Sequence, residues 1–204
     1  MKKIASIDIG SNTVRLLILE SDGDGGFHLL TSRRVITRLG EGMDTHGKLM
    51  QSRISETLSA LSEFRQDCMD HGNPPLFAVA TSAVREASNG KEFVRLALEK
   101  TGIEIEIIPW EEEARLTLEG VFWKIPHENR KSLTLDIGGG STEFILSEGK
   151  NIAGFCSSPL GVVRLTEKFI HQHPVDNAEY ANLTTHLRNE LQAIKEELSA
   201  FMPQ

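Results

Sequence analysis

One pattern occurs twice in this chain, and it narrows the available folds more than any other feature. Residues 8–18 read D-I-G-S-N-T-V-R-L-L-I and residues 136–146 read D-I-G-G-G-S-T-E-F-I-L. Each run ends an apolar strand on an aspartate, turns through small residues and enters a second apolar strand. Placing Asp8 on Asp136 puts Ile9 on Ile137, Gly10 on Gly138 and Ser11-Asn12-Thr13 on Gly139-Gly140-Ser141; Arg15 then falls on Glu143. The similarity continues beyond the turn. Strands over 133–136, 143–147 and 152–157 and a helix from Val162 repeat the opening of the chain, so the fold must be a duplicated one.

Between the copies, hydrophobic periodicity marks the elements. Strands are expected at Ile4–Asp8, Thr13–Glu20 and Phe27–Thr37, with Asp22 to Gly26 as a turn. Ile54, Leu58, Leu61, Phe64 and Cys68 recur at helical spacing until Gly72-Asn73-Pro74-Pro75 stops them. Leu76–Ala80 and Ile103–Ile108 read as strands, a helix capped by Asn89 ends at Gly102, and Glu111–Trp123 forms a third helix. The order β-β-β-α-β-α-β-α is an α/β unit with a mixed sheet, the order of a ribonuclease-H-like subdomain. The expected division is a first domain over 1–124 and the opening of its duplicate over 125–204. That duplicate stops after a helix over about 177–201, and the chain is read as a fragment of a longer protein.

Charge and composition remove several function classes. With 29 acidic against 22 basic residues the net charge is −7, which argues against a nucleic-acid surface built on phosphate neutralisation. No segment approaches the roughly 18 apolar residues of a membrane span, and the start lacks a signal-peptide core because Asp8, Asn12 and Arg15 interrupt it. A cytoplasmic location is expected. Two cysteines, Cys68 and Cys156, are too few for a disulfide scaffold, and Cys68 on an apolar helix face is expected to be a buried thiol. Histidines 28, 46, 71, 127, 171, 173 and 186 carry no convincing metal spacing.

The duplicated turn has a chemistry. Glycines let backbone approach a phosphate, successive N–H groups form a nest for its oxygens, and Ser11, Asn12, Ser141 and Thr142 add side-chain donors. Aspartates at strand ends are oxygen ligands for a hydrated Mg²⁺. Two such turns facing across a cleft would hold a polyphosphate chain. Arg85, in A-T-S-A-V-R-E-A after a buried strand, reads either as a surface arginine or as a guanidinium forked onto phosphate. Glu111-Glu112-Glu113 reads either as an acidic helix start favoured by the dipole or as the source of a general base.

Five blocks in order resemble the Ppx/GppA (exopolyphosphatase/guanosine pentaphosphate phosphohydrolase) family of the actin-like ATPase superfamily. They are D-I-G-S-N-T-V-R-L-L from Asp8, A-T-S-A-V-R-E-A from Ala80, E-E-A-R-L from Glu112, D-I-G-G-G-S-T-E from Asp136 and P-L-G-V-V-R-L-T-E from Pro159. The resemblance implies removal of terminal phosphate from inorganic polyphosphate or guanosine pentaphosphate with Mg²⁺, and often a homodimer. It implies Glu113 as catalytic base, Asp136 and Glu143 as organisers of metal and water, and Asp8 as a weaker metal ligand. It also places Gly138, Gly139, Gly140 and Ser141 on one side of the phosphate and Ser11, Asn12 and Arg85 on the other. Two departures stand out: Pro109-Trp110 replaces the usual Ser-Gly before E-E-A-R-L, and a Gly-Thr-Ala-Gly-Thr-like segment is missing. They motivate a second reading, a polyphosphate or alarmone (guanosine tetraphosphate) sensor without efficient turnover. An ATP-dependent sugar kinase or chaperone of the superfamily is a third, disfavoured because the second and third blocks are not its signatures.

Overall fold

The computed structural model describes residues 2–123, 125, 131–199 and 201; His127 lies outside them. The chain forms two compact units, Met1–Ile108 and Pro109–Gln204. In the first, β1 (Lys3–Ile9), β2 (Thr13–Ser21) and β3 (Phe27–Ile36) make an antiparallel meander. β4 (Leu76–Ala80) and β5 (Ile105–Ile107) join it in parallel, giving the order β3-β2-β1-β4-β5. Ala5 pairs with Ile18, Ile7 with Leu16 and Ile9 with Val14, so strand alternation delivers one continuous apolar face.

Two helices cover that face. Ile54, Leu58, Leu61, Phe64 and Cys68 of α2 (Gln51–Asp70) and Phe93 and Ala97 of α4 (Gly90–Thr101) are buried in one core with the strand residues. Each large side chain buried there contributes roughly 1.5–3 kcal/mol. Asn89 does stand at the N-cap of α4, but its side chain makes no cap bond. Its Oδ1 accepts from Leu49 N at 2.8 Å and its Nδ2 donates to Leu49 O at 3.0 Å, which ties the segment before α2 to the start of α4. Two short helices were not legible from periodicity: α1 (Met43–His46) and α3 (Ser82–Glu86).

The second unit is a three-stranded antiparallel sheet between helices. β6 (Lys131–Ile137), β7 (Thr142–Glu148) and β8 (Asn151–Ser158) lie in chain order, with β7 central. On one face Ile145 packs with Ala114 and Leu118 of α5 (Trp110–Phe122). On the other, Phe144 and Cys156 pack with Leu160, Ile194 and Leu198, the last two from α7 (Asn177–Ser199); α6 (Val162–Phe169) precedes α7. The division by packing falls after Ile108, because α5 shares its core with β7. Both cysteines are free and buried. Burial, and then the Glu197 carboxylate that accepts from Sγ at 3.2 Å, push the Cys156 thiol up to about 11. Among the described residues no helix is long and apolar enough to cross a membrane.

Candidate active site

The two repeat turns are built alike. Gly10 N–H donates to Thr13 O at 3.1 Å in the first, and Gly138 N–H donates to Ser141 O at 2.9 Å in the second. In the flanking ladders Asp8 pairs with Arg15, and Asp136 pairs with Glu143. The repeat alignment is therefore also a register alignment. It separates the copies chemically: Asp8 faces a cation across its hairpin, whereas Asp136 faces a second carboxylate. Only the second copy gathers a pair of acids, which makes Asp8 the weakest metal candidate of the three.

Each turn is clasped by the loop that comes after its third strand. In the first unit, Thr37 and Arg38 N–H groups donate to Asn12 O at 3.1 Å each, and Gly40 N–H donates to Ser11 O at 2.7 Å. In the second, Val162 N–H donates to Gly138 O at 3.0 Å and Val163 N–H to Gly139 O at 2.9 Å, while Thr142 Oγ1 donates to Leu160 O at 2.8 Å. Gly161 is required here: a Cβ would stand 2.2 Å from the Gly140 carbonyl carbon and 2.3 Å from Gly139 O. Buried Leu39 before Gly40 and buried Leu160 before Gly161 occupy matching places, so the repeat includes a Leu-Gly clasp that the sequence alone did not reveal.

The clasp assigns the backbone groups. The N–H of Gly138 and the carbonyls of Gly138 and Gly139 are used internally. Among the described residues the N–H groups of Gly139, Gly140 and Ser141 donate to no backbone carbonyl. These three are the donors the turn can offer an anion, while Gly138 shapes it.

Glu143 is only 2% exposed, and Ser157 Oγ donates to its Oε1 at 3.0 Å. Asp136 is exposed, and Thr117 Oγ1 of α5 donates to its Oδ2 at 3.2 Å. Glu113 lies one helical turn before Thr117 on the same face of α5, so that face carries Glu113 beside the strand carrying Asp136. The structure thus groups Glu113, Asp136 and Glu143 on one side of the second unit's sheet. Ser11, Asn12 and Arg85 lie in the first unit.

Within E-E-A-R-L the roles divide. Arg115 clamps Glu112 with two bonds, Nε to Oε2 at 2.8 Å and Nη2 to Oε1 at 2.7 Å. That hydrogen bonding holds the Glu112 carboxyl below the usual carboxylate range. Glu112 is committed to Arg115, and Glu113 alone of the two points to the Thr117 face. Pro109 takes the N-cap position of α5 and Glu113 N–H donates to its carbonyl at 3.1 Å, so Pro109-Trp110 starts the helix regularly.

Arg85 belongs to α3, not to a loop. It is half-buried, and its Nη1 donates to Ile108 O at 2.7 Å, fastening the end of β5. Sequence reasoning also missed Ser157, which the β7–β8 register sets directly across from Glu143.

Mg²⁺ suits this donor set. Asp136 and Glu143 are hard oxygen donors, and Mg²⁺ ordinarily takes one or two carboxylates and completes its shell with water and phosphate oxygens. Among the described residues no group of three or more His, Cys, Asp or Glu forms an all-protein cage.

A sequence profile described as the Ppx/GppA phosphatase family matches residues 17–201. Exopolyphosphatase 1 of Mycobacterium tuberculosis is 32% identical over 189 residues, which are 93% of this chain and 55% of that protein. The chain thus spans about half the length of the curated relatives it matches. The crystal structure of an exopolyphosphatase from Cytophaga hutchinsonii superposes with a TM-score of 0.90 at 30% identity, covering 100% of this chain and 65% of that one. Ethanolamine utilization protein EutJ from Carboxydothermus hydrogenoformans shares the fold alone, with a TM-score of 0.58 at 15% identity over 100% of this chain and 74% of its own.

Proposed function

Since the chain belongs to the Ppx/GppA phosphatase family, we propose that it carries the catalytic carboxylates of a phosphohydrolase that removes terminal phosphate from inorganic polyphosphate. The observation that carries this reading is the grouping of Glu113, Asp136 and Glu143, with the Thr117 bond from α5 to Asp136 setting the helix against the strand pair.

In this reading the Gly139, Gly140 and Ser141 amides orient the terminal phosphate. Glu113 accepts a proton from water as the water oxygen bonds to the terminal phosphorus. The bridging P–O bond then breaks, and the shortened chain leaves with the bonding electron pair as an oxyanion. Asp136 and Glu143 would hold Mg²⁺, which would supply charge neutralisation for the phosphoryl oxygens. Glu143, seated by Ser157, is kept in one orientation.

Guanosine pentaphosphate presents the same terminal anhydride and is a second substrate to try. Cytoplasmic action and a homodimer belong to the same proposal. Phosphate release from each substrate, with Mg²⁺ and with chelator, tests it. Glu113→Gln is expected to lower the rate by about 10²–10⁴-fold, and an unchanged rate removes Glu113 as the base. Saturable polyphosphate binding without release would replace hydrolysis with a sensor function.

A further inference from the structure

Thr117 of α5 uses its hydroxyl differently from other helical threonines of this chain. Thr101, Thr166 and Thr184 each turn Oγ1 back onto the carbonyl four residues earlier, at 2.7 Å to Ala97 O, 2.7 Å to Val162 O and 2.8 Å to Tyr180 O. That is the local bond a helix offers such a side chain. Thr117 lies inside α5 with Glu113 four residues before it, yet its Oγ1 reaches out of the helix and donates to Asp136 Oδ2 at 3.2 Å. The bond spans 19 residues of sequence and joins a helix to a strand of the same unit.

This bond acts on both partners. On the helix side it fixes the face of α5 that carries Glu113, one turn away, against β6. On the strand side it holds the exposed Asp136 carboxylate by one of its two oxygens, which favours coordination of a cation through Oδ1 alone. Directly across the ladder, Glu143 is also held at one oxygen, Oε1, by Ser157. Single carboxylate oxygens suit Mg²⁺, which is small, demands a near-octahedral shell and keeps several waters. Ca²⁺ takes roughly six to eight oxygens and readily draws both oxygens of one carboxylate.

We propose that Thr117 is a positioning residue that couples the helix carrying the base to the strand carrying the metal ligand, and that it sets a preference for Mg²⁺ over Ca²⁺ by keeping Asp136 to one oxygen. The coupling to the base rests on the phosphohydrolase reading.

The test takes the full 204-residue chain as wild type, Thr117→Val and Thr117→Ser. Each is titrated with MgCl₂ and with CaCl₂ by calorimetry, and kcat and KM are measured on polyphosphate. Valine keeps the side-chain shape and removes the donor. Thr117→Val is expected to lower the ratio of Mg²⁺ to Ca²⁺ affinity on the order of 10-fold, and to lower kcat by about 10–100-fold with KM within about twofold. Thr117→Ser retains the hydroxyl and should bring both quantities back to within about threefold of wild type. A general loosening of the unit would weaken both cations alike, so an unchanged affinity ratio in Thr117→Val overturns the proposal. A serine variant no better than the valine one also overturns it, as does a wild type that binds neither cation. If the wild type binds Mg²⁺ but releases no phosphate from polyphosphate, the phosphohydrolase reading fails, while the cation ratio, read without turnover, still decides for or against Thr117.

Discussion

Glu143 is almost fully enclosed, and an ionised carboxylate in that position must be hydrogen-bonded to be tolerated. Ser157 on the neighbouring strand supplies one such bond, at the register position directly across from Glu143. This makes Ser157 a positioning residue for Glu143 in the proposed Mg²⁺-holding pair. Ser157→Ala is expected to lower the apparent Mg²⁺ affinity and the rate by about 10–100-fold, as loss of the groups that orient metal-holding side chains typically does. A Mg²⁺ titration of phosphate release reads it: an unchanged half-saturating concentration would show that Glu143 is held without Ser157. Glu143 was legible through the family resemblance of the D-I-G-G-G-S-T-E block from Asp136, in which it is the last residue. Ser157 was not, because its role depends on which residue of β8 lies opposite Glu143, and strand register is set by the folded ladder.

Among the elements, those with a long period were readable. The spacing of Ile54 through Cys68 marks α2, and the alternation in Ile4–Asp8 marks β1, since both patterns come from burying one face. Helix α3 was not, for it spans only Ser82–Glu86 and shows less than two turns of periodicity. Its consequence was a misplaced Arg85. The clasp was hidden for a related reason: Thr37 and Arg38 separate Ile36 from Leu39, where Pro159 alone separates Ser158 from Leu160. Leu39 also follows Asp8 by 31 residues, whereas Leu160 follows Asp136 by 24, so no single offset aligns both the turn and the clasp. Gly161→Ala tests the clasp. Its Cβ meets backbone at 2.2–2.4 Å, so the Pro159–Val163 loop must lift from the glycine turn. The expected result is a loss of about 1–3 kcal/mol in unfolding free energy together with lost phosphate release. Gly120→Ala in α5, where a Cβ meets nothing within 4 Å, should instead gain roughly 0.5–1 kcal/mol. Chemical denaturation of both variants separates them; equal effects would mean that the close approach at Gly161 is not what holds the loop.

For the whole molecule, the two units are unequal in a way that bears on function. The first unit buries two helices against five strands in one continuous core. The second divides a smaller core into two clusters on opposite faces of three strands, and its edge strand β6 leaves Leu133, Leu135 and Ile137 47–62% exposed. Stability grows with the fraction of apolar surface a unit encloses, and a three-stranded sheet depends heavily on the helices that cover it. Residues 1–108 made alone are therefore expected to unfold in one cooperative transition, because Ile108 and the Arg85 bond to its carbonyl stay within that piece. Residues 109–204 should unfold at a lower temperature and bind an apolar dye through the exposed β6 side chains. Circular-dichroism melts of the two pieces decide the matter, and a second piece as stable as the first would refute the argument from core size. The Asp136–Glu143 pair lies in that unit, and a bound cation would offset two carboxylates that face each other across the ladder. Adding Mg²⁺ to residues 109–204 should then raise their melting temperature while leaving that of residues 1–108 unchanged, since a ligand stabilises only the folded state that binds it. A Mg²⁺ response confined to residues 1–108 would move the metal away from Asp136 and Glu143 and towards the first copy's Asp8.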